Sequence, residues 1–453
     1  MIYDLLVIGG GPAGYLAAER AGHAGMSVLL IEKNSVGGVC LNEGCIPSKA
    51  LLYSAKIADN ASHGDAYGVR ADNVRIDHAA VIARKRKVVG KLVAGVKASL
   101  TANKVTIVEA EAVIEGRNAE GFVVSAGGVS YTAGRLLLAT GSVPVLPPIK
   151  GAADGLKNGF VLTNREILEL PAVPPAMVII GGGVIGLEMA SYYTSAGSRV
   201  TVIEMLDHIA GQTDLEIAVF LQKEYEKKGV TFILDAKVTE ILSDGVVYEK
   251  NGASASCPAD KALMSIGRRA FTDGLGLEKL GVEIERGAVK TDAQGRTNVA
   301  GVFAAGDVNG KYMLAHAAYR EAEVCVNTML GKRDNMRYSA IPSVIYTNPE
   351  VGGVGETEQT AAEKGISFTV KKLSMKYSGR FLAENDGDGI CKVLADKSTG
   401  IIIGVHAVGP YASEFIWGAA AMIEQEMRID DAKEIVFPHP TVSEIIRETI
   451  FTF

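Results

Sequence analysis

The sequence predicts an α/β chain that carries two dinucleotide-binding modules, and three observations point there. A G-x-G-x-x-G turn follows an apolar run near the N-terminus, the same turn returns at Gly181, and a glutamate closes each copy at the same distance. From first glycine to acid the interval is 23 residues both times, 9 to 32 and 181 to 204. The chain has 453 residues, and at roughly 100–200 residues per domain that length implies two to four domains.

The first copy reads "YDLLVIGGGPAGYLAAERAGHAGMSVLLIEK": an apolar strand, the turn Gly9-x-Gly11-x-x-Gly14, a helix of small residues, a second strand, then Glu32. Each glycine has a mechanical reason. Gly9 permits the tight turn, Gly11 admits a pyrophosphate, and Gly14 lets helix and strand approach closely. The helix start faces the phosphates with unpaired N–H groups. Glu32 is placed to accept from the ribose hydroxyls of an adenosine. Alone, such a turn is weak evidence; strand, helix, second strand and acid in sequence make a Rossmann-like fingerprint.

The second copy, "AMVIIGGGVIGLEMASYYTSAGSRVTVIEM", supplies Gly181, Gly183, Gly186 and Glu204, so two dinucleotides can bind at once. A carboxylate at Glu204 favours a free 2′-hydroxyl and repels a 2′-phosphate, and the following "MLDHIA" has no Arg or Lys to hold one. This site is expected to prefer NAD over NADP, the bland alternative being an exposed strand-end charge. Between the copies, "LLLATGSVPVLPPIKG" reads as a domain crossover and "ALMSIGRRA" as the return. "RTNVAGVFAAGDV" puts Asp307 just past another strand, where it can receive a sugar hydroxyl or serve as a turn aspartate.

Composition narrows the function classes. A formal charge of −6 and 48% apolar residues give a globular profile with no basic field for nucleic acid. The cluster Arg84-Lys85-Arg86-Lys87 is expected on the solvated face of an amphipathic helix. No apolar run approaches the ~18 residues of a membrane span, and a first strand near Asp4 leaves no room for a leader. The chain is therefore expected to be soluble and unprocessed. Five cysteines, sparse and odd in number, point to a reducing compartment rather than a disulfide framework.

Two of those cysteines, Cys40 and Cys45 in "GGVCLNEGCIPSK", are five positions apart, with Gly44 and Pro47 beside them. On a regular helix they would sit about 140° apart with an axial offset near 7.5 Å. Disulfides want Cα atoms within ~4.4–6.8 Å, so the segment is expected to be irregular. Pro47 opens the helix that follows, which puts Cys45 near a positive dipole end, and Lys49 adds a cation one turn on. Three readings stay open on spacing: a redox pair, two inert core thiols, and a zinc site, although no second Cys/His pair lies nearby. Near the C-terminus, "FPHPTVSEIIRETIF" brackets His439 with two prolines. Thr441-x-x-Glu444 reads as a capping box on a helix starting near Thr441. Glu444 can also fix the His439 tautomer, leaving the other ring nitrogen as a base toward a thiol, and the two roles are compatible.

"GGVCLNEGCIPSKALL", "GGGPAGY", "GGGVIGLE", "ATGS", "VFAAGD", "MLAH", "YTNPEVGGVGETE" and "FPHPTVSEII" together resemble the FAD-dependent pyridine nucleotide-disulfide oxidoreductases. Within them they resemble the dihydrolipoamide dehydrogenases, flavoprotein components of 2-oxoacid dehydrogenase and glycine cleavage complexes. The resemblance runs essentially end to end. It implies two Rossmann-like domains, for FAD and NAD, plus a C-terminal α+β dimerisation domain. The expected divisions are an FAD-binding domain at 1–146, an NAD-binding domain at 147–268, a central domain at 269–336 and an interface domain at 337–453.

By the same resemblance the FAD site draws on Gly9, Gly11, Gly14, Glu32, Lys33, Cys40, Lys49, Ala112, Thr140, Gly141, Ser142 and Asp307, with Met313, Leu314, Ala315 and His316 of the "MLAH" run. NAD would meet Gly181, Gly183, Gly186, Glu188, Glu204, Val238 and Gly267, and Lys49 would pair with Glu188 beside the flavin. Cys45 would lie against the flavin while Cys40 exchanges with dihydrolipoamide. His439, oriented by Glu444, would come from the other subunit of a homodimer. No metal is implied. The implied partners are lipoyl domains, the peripheral subunit-binding domain of an acyltransferase core and the lipoyl carrier of glycine cleavage. The expected location is the cytoplasm, or the mitochondrial matrix for a mature organellar form. "RFLAENDGDGI" and "VEAEAVI" depart from the family pattern without touching thiols, base or nucleotide acids. The rival readings are a glutathione-reductase-like enzyme using NADPH, a flavin transhydrogenase that needs no thiols, and a docking subunit with no catalytic duty.

Overall fold

The computed structural model describes residues 2–384 and 387–453; Asn385 and Asp386, inside the divergent "RFLAENDGDGI" stretch, lie outside the described residues. The chain divides into two compact units. Met1–Ala50, Ile82–Val145 and Gly267–Arg337 form the first, and Leu51–Val81, Leu146–Ile266 and Tyr338–Phe453 the second.

The first unit is built on a five-stranded parallel sheet in the order Val302–Ala304, Leu136–Leu138, Leu5–Ile8, Val28–Glu32, Thr106–Glu109. Its inner strands are continuous Leu, Val and Ile because both faces are covered. Successive residues point to opposite faces, and the packing sorts accordingly. Leu5, Val7, Val28 and Leu30 pack with Ala13, Ala17, Ala18 and Ala21 of helix Pro12–His23, whose small side chains bring helix and sheet together. Leu6, Ile8, Leu29 and Ile31 turn the other way, toward Ile114, Phe122 and Val124 of a second sheet in the order Ile2–Tyr3, Val129–Ala133, Phe122–Ala126, Ala112–Arg117.

The second unit repeats the plan and adds to it. Its parallel sheet runs Val161–Leu162, Lys261–Met264, Ala176–Ile180, Arg199–Ile203, Thr231–Ile233. An antiparallel sheet in the same unit runs Ser343–Ile345, Val351–Gly355, Ile402–Val408, Ile390–Asp396, Phe368–Ser374. Helices Ala412–Glu424 and Glu444–Ile450 bury Phe415, Ile416, Ile445 and Ile446 in the core they share with that sheet. The whole is the α/β architecture with a C-terminal α+β part that the sequence predicts.

One expectation needs correction. Helix His78–Ala102 carries the basic cluster, and Arg84, Arg86 and Lys87 are exposed, but Lys85 is only 1% exposed. It follows buried Ile82 by three positions, so helical periodicity puts it on the inward stripe. Among the described residues no helix is long and apolar enough to cross a membrane.

Candidate active site

The two glycine turns share their geometry. Gly9 and Gly181 take φ of 103° and 101°, in the region that disfavours a side chain. A Cβ on Gly14 would lie 1.8 Å from the Gly9 carbonyl oxygen, and one on Gly186 2.3 Å from that of Gly181. The helices begin at Pro12 and Val184 behind Gly11 and Gly183, and no side chain caps either start. Their first N–H groups are thus directed at whatever anion binds there.

The acids behave alike too. Glu32 accepts from Gly10 N at 2.7 Å and Asn34 N at 2.8 Å; Glu204 accepts from Gly182 N at 2.6 Å and Leu206 N at 2.8 Å. An ionised carboxylate has about four acceptor positions, so each keeps capacity for a ribose hydroxyl. Beside Glu204 the sequence reading overlooked His208. Its pKa is raised, chiefly by its hydrogen bond to Asp207, which ties up its charge locally.

Cys40 and Cys45 are brought together by a break in the helix. Cys40 lies on the short helix Gly38–Glu43, Gly44 leaves helical geometry at φ −151° and ψ −108°, and a new helix starts at Cys45 and runs to Ser62. The irregularity expected from Gly44 is therefore present, with Pro47 in the first turn of the second helix. Ser48 ties the junction by donating to the carbonyls of Gly44 at 2.8 Å and Cys45 at 3.1 Å. Both thiols are partly exposed, which sets them apart from the buried Cys325 and Cys391. Their side chains hydrogen-bond, and that bond first, then burial and the charge of Cys45, push the Cys40 thiol up; Lys49 pulls it down. The thiol helix is seated on the first turn: a Cβ on Gly38 would lie 2.6 Å from the Gly11 Cα.

A polar chain runs beside them. Ser142 Oγ donates to Asp307 at 2.5 Å and receives Arg268 Nε at 2.8 Å, while Arg268 Nη2 donates to the Ser142 carbonyl at 2.8 Å. Burial raises the Asp307 pKa, with Ser142 and Arg268 opposing it. Glu321, buried, accepts from Gly306 N at 2.6 Å and fixes the backbone that presents Asp307. Thr140 Oγ1 donates to Phe271 O at 2.6 Å, Phe271 N donates to Gly141 O at 2.9 Å, and the Lys33 ammonium sits 4.2 Å from the Phe271 ring centroid. Ala112 is buried at the start of its strand. Leu314 caps helix Ala315–Met329 after half-buried Met313, and His316 is exposed and engaged. Tyr15 and Tyr319, which join their hydroxyls, were also overlooked, although Tyr15 ends the quoted "GGGPAGY". Arg268 had a signal as well, in "SIGRRA".

In the second unit, Glu188 is buried on helix Val184–Ser195 and accepts from Tyr346 N at 3.2 Å. Val238 is buried in strand Ala236–Ile241. Gly267, at φ 112°, belongs to the first unit, where its carbonyl accepts from Val145 N.

His439 Nδ1 lies 2.9 Å from Glu444 Oε1, and the imidazole is 77% exposed. The helix starts at Glu444, three residues later than expected. Only half the capping box forms: Thr441 N donates to Glu444 Oε2 at 2.8 Å, while Thr441 Oγ1 turns back to the Pro438 carbonyl. Val442 and Ser443 form a turn whose carbonyls accept from Ile445 and Ile446, so the chain is not yet α-helical at Thr441. Burial works against the Glu444 charge, but Thr441 N–H and then His439 hold its pKa below the ordinary carboxylate value. Among the described residues no three Cys, His, Asp or Glu side chains gather as a metal site.

Comparison with known proteins fits this geometry. Residues 3–322 match the pyridine nucleotide-disulphide oxidoreductase family and residues 341–450 its dimerisation domain. The chain is 39% identical to the dihydrolipoyl dehydrogenase of Geobacillus stearothermophilus over 98% of its own length and 95% of the relative's. It is 37% identical to that of Mycoplasma pneumoniae over 99% and 98%. The crystal structure of LpdA from Mycobacterium tuberculosis superimposes with a TM-score of 0.90 at 26% identity, covering 99% of both chains. The HOCl-induced flavoprotein disulfide reductase RclA from Escherichia coli gives 0.87 at 26% identity, again over 99% of both.

Proposed function

Because the chain belongs to the pyridine nucleotide-disulphide oxidoreductase family, we propose that it catalyses dihydrolipoyl dehydrogenation through Cys40 and Cys45. The observation that carries this is the helix break at Gly44, which sets two partly exposed thiols in mutual contact against the first glycine turn. The enzyme is an NAD-dependent flavoprotein oxidoreductase, and its cofactors are FAD and NAD. The first turn suits FAD: its helix start is uncapped, its acid is buried and Asp307 lies in the same unit. Gly9, Gly11, Gly14, Glu32, Lys33, Lys49, Ala112, Thr140 to Ser142, Asp307 and Met313 to His316 would hold it. The second turn suits NAD through Gly181, Gly183, Gly186, Glu188 and Glu204, with Val238 and Gly267 nearby in the assignment.

Each protein group has a task. Glu444 receives His439 Nδ1–H, which leaves Nε2 to take a proton from a dihydrolipoyl thiol. The thiolate attacks Cys40, the bond to Cys45 breaks, and a mixed disulfide forms. The second substrate sulfur closes the ring and frees Cys40. Lys49 lowers the cost of charge on the thiols, and Asp307 and Ser142 fix a sugar hydroxyl. Bound FAD supplies the two-electron carrier between the thiols and NAD.

The dimerisation domain makes the protein a homodimer, and Val436, Trp417 and Tyr377 are exposed apolar residues in that domain at 93%, 69% and 66%. The outward His439 ring fits a base delivered to the thiols of a second copy. We assign residues 1–146, 147–268, 269–336 and 337–453 to FAD, NAD, central and interface domains. Protein-borne lipoyl groups are the substrate and an acyltransferase core's subunit-binding domain the docking partner, in the cytoplasm or a mitochondrial matrix.

A steady-state comparison tests the proposal. Lipoamide turnover with NADH is expected to exceed glutathione disulfide turnover with NADPH by orders of magnitude, and the reverse ranking would retire it.

A further inference from the structure

We propose that the Tyr15–Tyr319 hydroxyl pair donates a hydrogen bond to the Cys40 sulfur when that sulfur carries charge, and so helps make Cys40 the exchanging thiol. The inference rests on the disulfide-exchange reading above and adds two residues to it.

Tyr15 stands on the helix that leaves the first glycine turn and Tyr319 on helix Ala315–Met329. Their hydroxyls hydrogen-bond, and the rings meet edge to face with centroids 5.9 Å apart. The pair has two hydroxyl hydrogens and one internal bond. One hydrogen therefore remains to be given outward.

What lies nearby is Cys40. Gly38 packs against Gly11 closely enough that a Cβ on it would stand 2.6 Å from the Gly11 Cα. Cys40 follows Gly38 by two residues, and Tyr15 follows Gly11 by four on the opposing helix, so this contact ties the two side chains to one junction. Burial keeps both phenols protonated, and the charge of Cys40 presses on both. The pair thus stands within electrostatic reach of Cys40 as a protonated donor.

Its use falls in the second half of the exchange. One substrate thiolate has bonded to Cys40 and expelled Cys45 as a thiolate. The second substrate sulfur then attacks the first, forms the cyclic disulfide and breaks the bond to Cys40, which leaves with the electron pair. Two electrons have moved from the substrate sulfurs to the enzyme sulfurs. One proton goes to His439 and the other to Cys40 or solvent. A donor waiting at Cys40 steadies that leaving thiolate.

The test uses full-length, FAD-loaded protein reduced with one equivalent of NADH, comparing wild type with Tyr15→Phe, Tyr319→Phe and the double variant. The readout is the pH dependence of iodoacetamide alkylation at Cys40, located by mass spectrometry. The double variant is expected to raise the alkylation midpoint by about one pH unit, making the reaction about tenfold slower below it, the size of one lost hydrogen bond to a charged group, and each single variant to raise it by less. The double variant removes both hydrogens and should carry the full effect, because either hydroxyl left alone still has one hydrogen to give. The long-wavelength absorbance from Cys45 beside flavin should stay as in wild type. An unmoved midpoint in the double variant, with flavin content and melting normal, overturns the proposal and leaves the exchange reading intact. If wild-type Cys40 is never alkylated after reduction, the exchange reading falls, and the proposal with it.

Discussion

Glu32 and Glu204 each accept one N–H from inside their glycine turn and one from two residues beyond themselves, at distances that agree within 0.1 Å. Around that shared frame the two regions diverge. The first turn has Gly38 and the thiol helix against it, and Ser142, Arg268 and Asp307 in one hydrogen-bonded chain in the same unit. The second turn opens on apolar side chains left in solvent, with Val184, Leu206 and Met205 all exposed. The contrast separates two jobs that one motif serves. A strand, a turn and an uncapped helix start make an anion site. What surrounds them decides whether the dinucleotide is enclosed as a fixed carrier or laid on an open shelf and exchanged.

The sharpest way to break that division is Cys40→Ser. It should take lipoamide turnover to background while NADH still reduces a dye through the flavin, because in the proposed assignment hydride enters by the second region without a thiol. Survival of lipoamide turnover would mean that the first region's special surroundings have nothing to do with the chemistry.

Next in size is an anchor in the second unit. Asp214 caps helix Leu215–Lys227 and accepts Lys392 at 2.8 and 3.0 Å, with Glu358 and Glu216 completing the cluster around an ammonium that is 1% exposed. Lys392→Ala leaves the buried Asp214 carboxylate without its partner and should cost about 3–5 kcal/mol in denaturant unfolding. A loss below about 1 kcal/mol would class the cluster with ordinary surface pairs.

The acids themselves provide a paired test. Glu204→Ala should raise the KM for NADH by roughly tenfold to a hundredfold, the range for hydrogen bonds to a charged group, without loss of flavin. Glu32→Ala should instead release flavin during purification. If the two phenotypes come out exchanged, the assignment of the turns is inverted.

The smallest effect distinguishes two carboxylates by sign. Glu444 is held below its ordinary value of 4.5, so its contribution to folding is complete above that pH and is lost as pH falls through the lowered folded value. Asp307 is raised above 3.8, chiefly by burial, so its contribution is complete below that pH and fades as pH rises through the raised value. Melting temperature against pH should therefore lose opposite slopes in Glu444→Gln and Asp307→Asn. Equal slopes in the two variants would contradict the assigned signs.

Much of this was legible in the chain because it is local. Strand, turn, helix and acid lie within one short stretch, so Gly9 to Glu32 and Gly181 to Glu204 carry their own geometry, and the break between Cys40 and Cys45 follows from Gly44 and Pro47. The reading failed where a side chain's neighbour is distant in sequence. Lys85 sits in a run of four basic residues that suggests solvent, yet the inward stripe of its helix buries it. Arg268 and Tyr319 stand far along the chain from Ser142 and Tyr15, and no spacing rule links them.

The helix at Glu444 makes the same point at short range. Thr441 and Glu444 have capping-box spacing, but the Pro438 carbonyl competes for the threonine hydroxyl and the turn through Val442 delays the helix. By itself, then, the sequence determined the two nucleotide turns, their acids and the thiol junction, because bonds between near neighbours and backbone sterics act before the chain folds. Tertiary structure alone decided which charges are buried, which hydroxyls pair and what encloses each turn, because those depend on surfaces that meet only after folding.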